Sequence, residues 1–275
     1  MSNKNKYNII ITGSSSGIGY ATAVYLHKQG YNIFATIKEP KDREKLEKEG
    51  LKVFILDVTD QNSIKSAFED IMSQIDGKLD MVFNNAGFGQ PGAIEDLKTD
   101  ILKEQFETNV FGLHRVTLEA LKIMKKQNYG KIVQHSSVLG LVSLRFRGAY
   151  NASKYAIEGL SDTLRLELKD TNIQLTVLNT GPVISDFRKN AKIKLQQNID
   201  IENSRFKDEY IKSLAQDKSD VPFTLQSIDV AKVVEKIVLT KNIKPRYYIT
   251  KATYILGFLK RVLSTRLLDK TLYKI

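Results

Sequence analysis

The chain has 275 residues, 42% hydrophobic and 27% charged, a globular composition with enough length for one sizeable α/β core. It contains no cysteine, which excludes disulfides, thiol nucleophiles and thiolate metal sites, and His27, His114 and His135 show no metal-ligand spacing. The net charge of +11 is uneven: from residue 241 onward nine Lys/Arg face one acid, Asp269, while the remainder is near balance, which argues against a nucleic-acid-binding body.

Short apolar or β-branched runs at 7–12, 32–37, 51–57, 80–84, 131–136, 174–179 and 246–250 read as strands. Helical patterns lie between them near 17–29, 42–49, 61–75, 99–127, 149–169 and 228–240. This alternation predicts a Rossmann-type, doubly wound parallel sheet of about seven strands, flanked by helices, in a single domain over 1–251. Residues 185–225 break the rhythm. They are charged, weakly periodic and long, as expected of a substrate lid. The opening residues show no signal-peptide core and no run of 18 apolar residues exists, so a cytoplasmic location is expected.

The first strand runs into Thr12, Gly13, Ser14, Ser15, Ser16, Gly17, Ile18 and Gly19, with a helix following at once. Glycines there permit a tight turn and close approach of a pyrophosphate, and the helix start favours an anion. Further on, Tyr150 and Lys154 lie four apart on one helix face. Lowering a tyrosine pKa from about 10 to about 7 requires about 4 kcal/mol. An ammonium about 4 Å away supplies an energy of that order at an effective dielectric of about 20. Lys154 is therefore expected to make Tyr150 an acid/base near neutral pH.

The spacing T-G-x-x-x-G-x-G resembles the glycine motif of the short-chain dehydrogenase/reductase family, and the likeness extends over about the first 190 residues. Asp57-Val58, Asn84-Asn85-Ala86-Gly87, Asn109, Ser137, Tyr150-x-x-x-Lys154 and Gly181-Pro182-Val183 follow in the family's order, with 28 residues from Asn109 to Ser137 and 13 more to Tyr150. The resemblance implies a carbonyl–alcohol oxidoreductase that uses a nicotinamide nucleotide. Tyr150 would be the acid/base, Ser137 would hold the substrate oxygen, Lys154 would also hold the nicotinamide ribose, and Asn109 would fix a water of a proton relay. Gly13 through Gly19, Lys38, Asp57, Val58, Asn85, Ala86, Gly87, Tyr150, Lys154, Pro182, Val183 and Ser185 would line the nucleotide. Asn85 is expected beside the cofactor and Asn84 to be structural, the pair tying the fourth strand to the first through Thr12. His114 and His135 are expected to be packing or surface residues.

At the end of the second strand the family pattern puts Ile37 where NAD-binding members carry an acid, with Lys38 next. NADP(H) is thus the expected cofactor, with NAD(H) as the alternative and Glu39 as a competitor. Likeness to hydroxysteroid and retinol dehydrogenase-like members and lipid-ketone reductases points to a bulky hydrophobic alcohol or carbonyl, flanked by Leu141, Val142, Leu144, Phe146 and Phe187. The family's habit implies a homodimer or homotetramer through the helices near 99–127 and 149–169. Residues 252–275 read as one basic amphipathic helix, expected to pack on the domain or a second subunit, with an anionic membrane surface as the alternative. Two other readings stay open: a silent NADP-binding regulatory or scaffold protein, and a membrane-surface interaction protein.

Overall fold

The computed structural model describes residues 7–75, 78–215 and 221–275. The lead residues 1–6 and residues 216–220 of the expected lid lie outside that description. Seven strands form one parallel sheet: β1 (Asn8–Ile11), β2 (Asn32–Ile37), β3 (Lys52–Ile55), β4 (Met81–Asn84), β5 (Gly130–Ser137), β6 (Ile173–Thr180) and β9 (Arg246–Tyr248). Their order is β3-β2-β1-β4-β5-β6-β9, so the chain reverses its direction of travel across the sheet between β1 and β4. In open α/β sheets that reversal opens a crevice at the carboxyl ends of the strands, where ligands bind.

Burial on both faces explains the unbroken apolar strands. Ile9 and Ile11 face one core with Ile33, Ala35 and Phe83, whereas Ile10 faces the other with Phe34, Val82 and Ile132. The first core is covered by α1 (Gly17–Lys28) and α9 (Ser227–Leu239) through Ala23, Leu26, Val230 and Val234. The second is covered by α3 (Gln61–Met72) and α5 (Leu113–Gln127) through Ile64, Phe68, Val116 and Ala120. Caps fix several ends: Asp60 accepts from the Asn62 amide to start α3, and Asn128 adopts the left-handed conformation that stops α5. The buried Lys131 donates to the carbonyls of Ile237, Val238 and Thr240, which closes the carbonyl end of α9.

The structure revises three expected elements. The pattern at 99–127 is two helices, α4 (Thr99–Phe106) and α5, joined by a π-helical turn over Glu107–Gly112. Such a turn inserts an extra residue and re-aims the side chains on it, and Asn109 is one of them. The 185–225 segment is no simple loop: it holds α7 (Phe187–Asn198) and α8 (Lys207–Ala215). It leaves and rejoins the body through a two-residue parallel ladder, β7 (Val183–Ile184) on β8 (Leu225–Gln226). The tail is two helices rather than one, α10 (Lys251–Val262) and α11 (Thr265–Leu272), broken at the extended Leu263 and Ser264. The remaining helices are the short α2 (Arg43–Glu47) and the long α6 (Gly148–Glu167), which carries the Tyr150/Lys154 face.

Candidate active site

The glycine turn leaves β1 with Gly13 at φ +67°, and a side chain there would begin 2.8 Å from the Ala86 Cα. Ser14 is buried and bound within the sheet, its amide on the Thr36 carbonyl and its hydroxyl on that of Ile11. Ser16 precedes α1 in an extended conformation, no side chain caps the helix, and no acid lies in its first turn. The first amides of α1 therefore keep their capacity for an anion, the condition a pyrophosphate requires. Lys45 approaches the same turn, 3.4 Å from the Ser15 carbonyl and over the Tyr20 ring.

Asn85, rather than Asn84, makes the expected tie between β4 and β1. Its side-chain amide donates to the carbonyls of Thr12 and Gly13, while the Thr12 hydroxyl accepts from the backbone amides of Asn85 and Ala86. Asn84 instead donates to Thr117 and Gln134 within the buried layer. The Asn85 side-chain oxygen lies 3.0 Å from Nδ1 of His135, whose Nε2 is 3.1 Å from the Thr180 hydroxyl. Burial, aided by the Lys154 charge, pushes the His135 pKa down to about 3, so this imidazole is neutral. The sequence marked His135 only as packing. It links the ends of β4, β5 and β6, which no motif signals.

Lys38 meets Asp57 at 2.9 Å, joining two residues the sequence assigned separately to the nucleotide. Burial raises the Asp57 carboxyl pKa, but the Thr59 amide and Lys38 outweigh it and the net shift is downward. Val58 is buried and packs on Gly112 in the π-helical turn. Asn109 is 1% exposed. Its side chain accepts from the Phe88 amide and donates to the Phe88 carbonyl and the Ser153 hydroxyl, holding the loop after β4. A Gly87 side chain would start 3.0 Å from the Asn109 oxygen, so loop and turn are in close contact.

Ser137, Tyr150 and Lys154 come together as expected, but the charge logic differs. Burial pushes Tyr150 up to about 12, against a partial lowering by the hydrogen bond from Ser137. Lys154 Nζ donates to the His135 carbonyl at 2.7 Å and lies 5.4 Å from the centre of the Tyr150 ring. Burial lowers Lys154 itself to about 8, with Glu158 opposing. The expectation that Lys154 brings Tyr150 close to 7 is corrected. Lys154 is buried and Tyr150 partly buried, and for the phenol the loss of water outweighs the lowering by Ser137. At neutral pH the site holds a phenol beside an ammonium.

The start of the 185–225 segment lies against this cluster. A side chain on Gly17 would meet Ser185, and the ring of Phe187 stands 5.3 Å from that of Tyr150 and packs on Gly89. The other expected substrate residues separate. Val142 is buried against Leu268 and Leu272, with Leu144 at the same cluster. Phe146, at φ +60°, packs edge-on to Phe206 and Tyr210 beneath the lid. Leu141 lines a cleft of about 300 Å³ with Tyr248, Gly257 and Lys260, on the side of α10. Among the described residues no His, Cys, Asp and Glu cluster could hold a metal ion, and no helix is long and apolar enough to cross a membrane.

Residues 7–196 match the short chain dehydrogenase family model. The chain is 34% identical over 265 residues to the uncharacterized oxidoreductase YbbO of Escherichia coli K12, covering 96% of this chain and 93% of that one. It is 34% identical over 206 residues to the 3-ketodihydrosphingosine reductase of Bacteroides thetaiotaomicron, covering 75% and 74%. A short-chain dehydrogenase/reductase from Burkholderia phymatum, solved in complex with NAD, superimposes with a TM-score of 0.77 at 23% identity, over 99% of this chain and 96% of that one. Sheet order, the ordered run from the glycine turn to the Tyr150/Lys154 pair, and these similarities agree: the chain belongs to the short-chain dehydrogenase/reductase family, oxidoreductases that act on CH–OH groups.

Proposed function

We propose that this protein reduces bulky, apolar ketones or aldehydes with NADPH, with Tyr150 passing a proton to the substrate oxygen. The observation that carries this reading is the convergence of the Ser137 hydroxyl, Tyr150 phenol and Lys154 ammonium beside the Phe187 ring. At neutral pH the phenol is protonated, the form that can donate in reduction. As it loses its proton, the Ser137 hydroxyl and the nearby Lys154 charge stabilise the phenolate.

The chain fits a dinucleotide: the uncapped start of α1 would take the pyrophosphate, and Gly13 leaves the close approach open. Asp57, Val58, Ala86, Gly87, Pro182, Val183 and Ser185 would border it, and Lys154 would hold the nicotinamide ribose. When bound, the nucleotide supplies the hydride. Two cations support NADPH over NADH: Lys38 at the end of β2, and Lys45 at the outer side of the glycine turn. A 2′-phosphate would draw Lys38 away from Asp57. The apolar character of the substrate rests on Phe187 and on the 3-ketodihydrosphingosine reductase among the relatives. A homodimer or homotetramer goes with this reading, since Phe111 in the π-helical turn, Leu118 on α5, and Leu160 and Leu166 on α6 are exposed.

The test is oxidation of NADPH and NADH at equal concentration against steroid, retinoid and long-chain ketones and small aromatic aldehydes. Turnover of the bulky substrates with NADPH is expected, and Tyr150→Phe should lower kcat by at least about a thousandfold while leaving NADPH binding within about threefold. Undiminished turnover in that variant would remove Tyr150 from the mechanism. Tight NADPH binding with no turnover across the panel would favour the regulatory reading instead.

A further inference from the structure

The helices α10 and α11 turn apolar residues to both sides. Inward, Leu256, Leu259 and Leu263 pack with the buried Leu268 and Leu272 onto Val138, Leu139 and Val142. This inner packing meets the expectation that the tail docks on the domain. Outward, Tyr254, Ile255, Phe258 and Val262 form a stripe at helical spacing along α10, with exposures of 60, 47, 63 and 55%. Leu267 of α11 is also 55% exposed. A helix that is apolar on two sides is normally covered on both.

Charge decides what covers it. Residues 251–275 hold six Lys/Arg (Lys251, Lys260, Arg261, Arg266, Lys270 and Lys274) against the lone acid Asp269. None of these six cations enters a described ion pair. A second copy docking by a two-fold axis would set this surface against itself, cation facing cation, and would desolvate lysines that interfaces avoid. An anionic bilayer reverses both terms. Phe258, Ile255 and Val262 sink into the headgroup boundary, tyrosine sits at its level, and flanking Lys and Arg reach lipid phosphates.

The geometry points to a peripheral membrane-docking face, built from the outer stripe of α10 and the cations of α10 and α11, that binds anionic phospholipid. It involves none of the residues of the oxidoreductase site and stands or falls separately from it.

The test is co-sedimentation of the full chain with vesicles of phosphatidylcholine alone, or mixed with phosphatidylglycerol. Binding is expected to the mixed vesicles only, and to be released at high salt as screening shortens to about 3 Å. Ile255→Asp with Phe258→Asp should abolish it. Lys260→Gln with Arg261→Gln should weaken it about fivefold for each charge removed. Each variant should keep its thermal melting point, because the altered side chains are exposed. Absence of binding to mixed vesicles, equal binding to phosphatidylcholine alone, or full binding by the Asp variant overturns the proposal. Light scattering that shows Phe258→Asp splitting an oligomer of a chain that does not bind vesicles would assign the face to a second copy instead.

Discussion

On the proposed mechanism, Lys154 would set the pH behaviour of the site. Its pKa lies near 8 instead of about 10.5, so the ammonium is present below pH 8 and lost above it. If Tyr150 gives up its proton beside this charge, as proposed, kcat/KM for reduction should be level between about pH 6 and 7.5 and fall above about 8. A profile that stays flat through pH 9 would contradict this account. The same shift has a stability sign. A lysine with a depressed folded pKa opposes folding at neutral pH, and that cost fades as pH rises toward the unfolded value. Lys154→Met should therefore abolish turnover yet raise Tm at pH 7 by about 2–4 °C, with the gain shrinking toward pH 10, as read by calorimetry. The sequence could place Tyr150 and Lys154 on one helix face, but not this balance, because burial arises from the lid and from β5, distant in the chain.

Among the elements, the segment proposed as a lid has its own anchor. The Tyr210 hydroxyl donates to Asp96 at 2.6 Å and accepts from the Ala93 amide at 2.7 Å, and Ser204 donates to the same carboxylate. Tyr210→Phe leaves the Ala93 amide without its partner, which costs about 1–3 kcal/mol. The expected result is faster amide exchange confined to α7 and α8, with a raised KM and unchanged exchange in the sheet. Uniform acceleration would show that the lid does not open as a unit. Regular elements were legible where one period dominates: β1, β4 and β5 lie within a residue or two of the sequence reading. The lid helices were not, because α7 has few apolar residues and only Leu195 of it is buried. The π-helical turn at Asn109 was also invisible, since one inserted residue leaves the apolar pattern of 99–127 nearly intact.

At the scale of the whole molecule, the last sheet strand is held by charge. Arg246 on β9 binds Glu158 at 3.0 Å and Asp162 at 2.6 Å, both on α6, and Asn179 of β6 donates to the other Glu158 oxygen. Glu158 is only 8% exposed, so removing its cation leaves a nearly enclosed carboxylate. Arg246→Met should cost about 2 kcal/mol, less than for a sealed pair because the arginine side chain is a quarter exposed. Urea unfolding should show a lower midpoint with an unchanged slope. The glycine turn, Lys38, Asp57, Asn85 and Ser137 were legible as candidates because each lies at a strand end, and Tyr150 and Lys154 because they share one face of α6, whereas the contacts of Lys45, His135 and Arg246 are with partners far away in sequence. The ladder of β7 on β8 has one more consequence. Val183 pairs with Leu225 and Ile184 with Gln226, so the chain departs and returns at neighbouring points about 5 Å apart. The forty residues between them form a cassette whose ends already meet. Trimming it or trading it for another of different length leaves the sheet's connectivity untouched, so, if this segment borders the substrate as proposed, specificity can drift through one exchangeable piece.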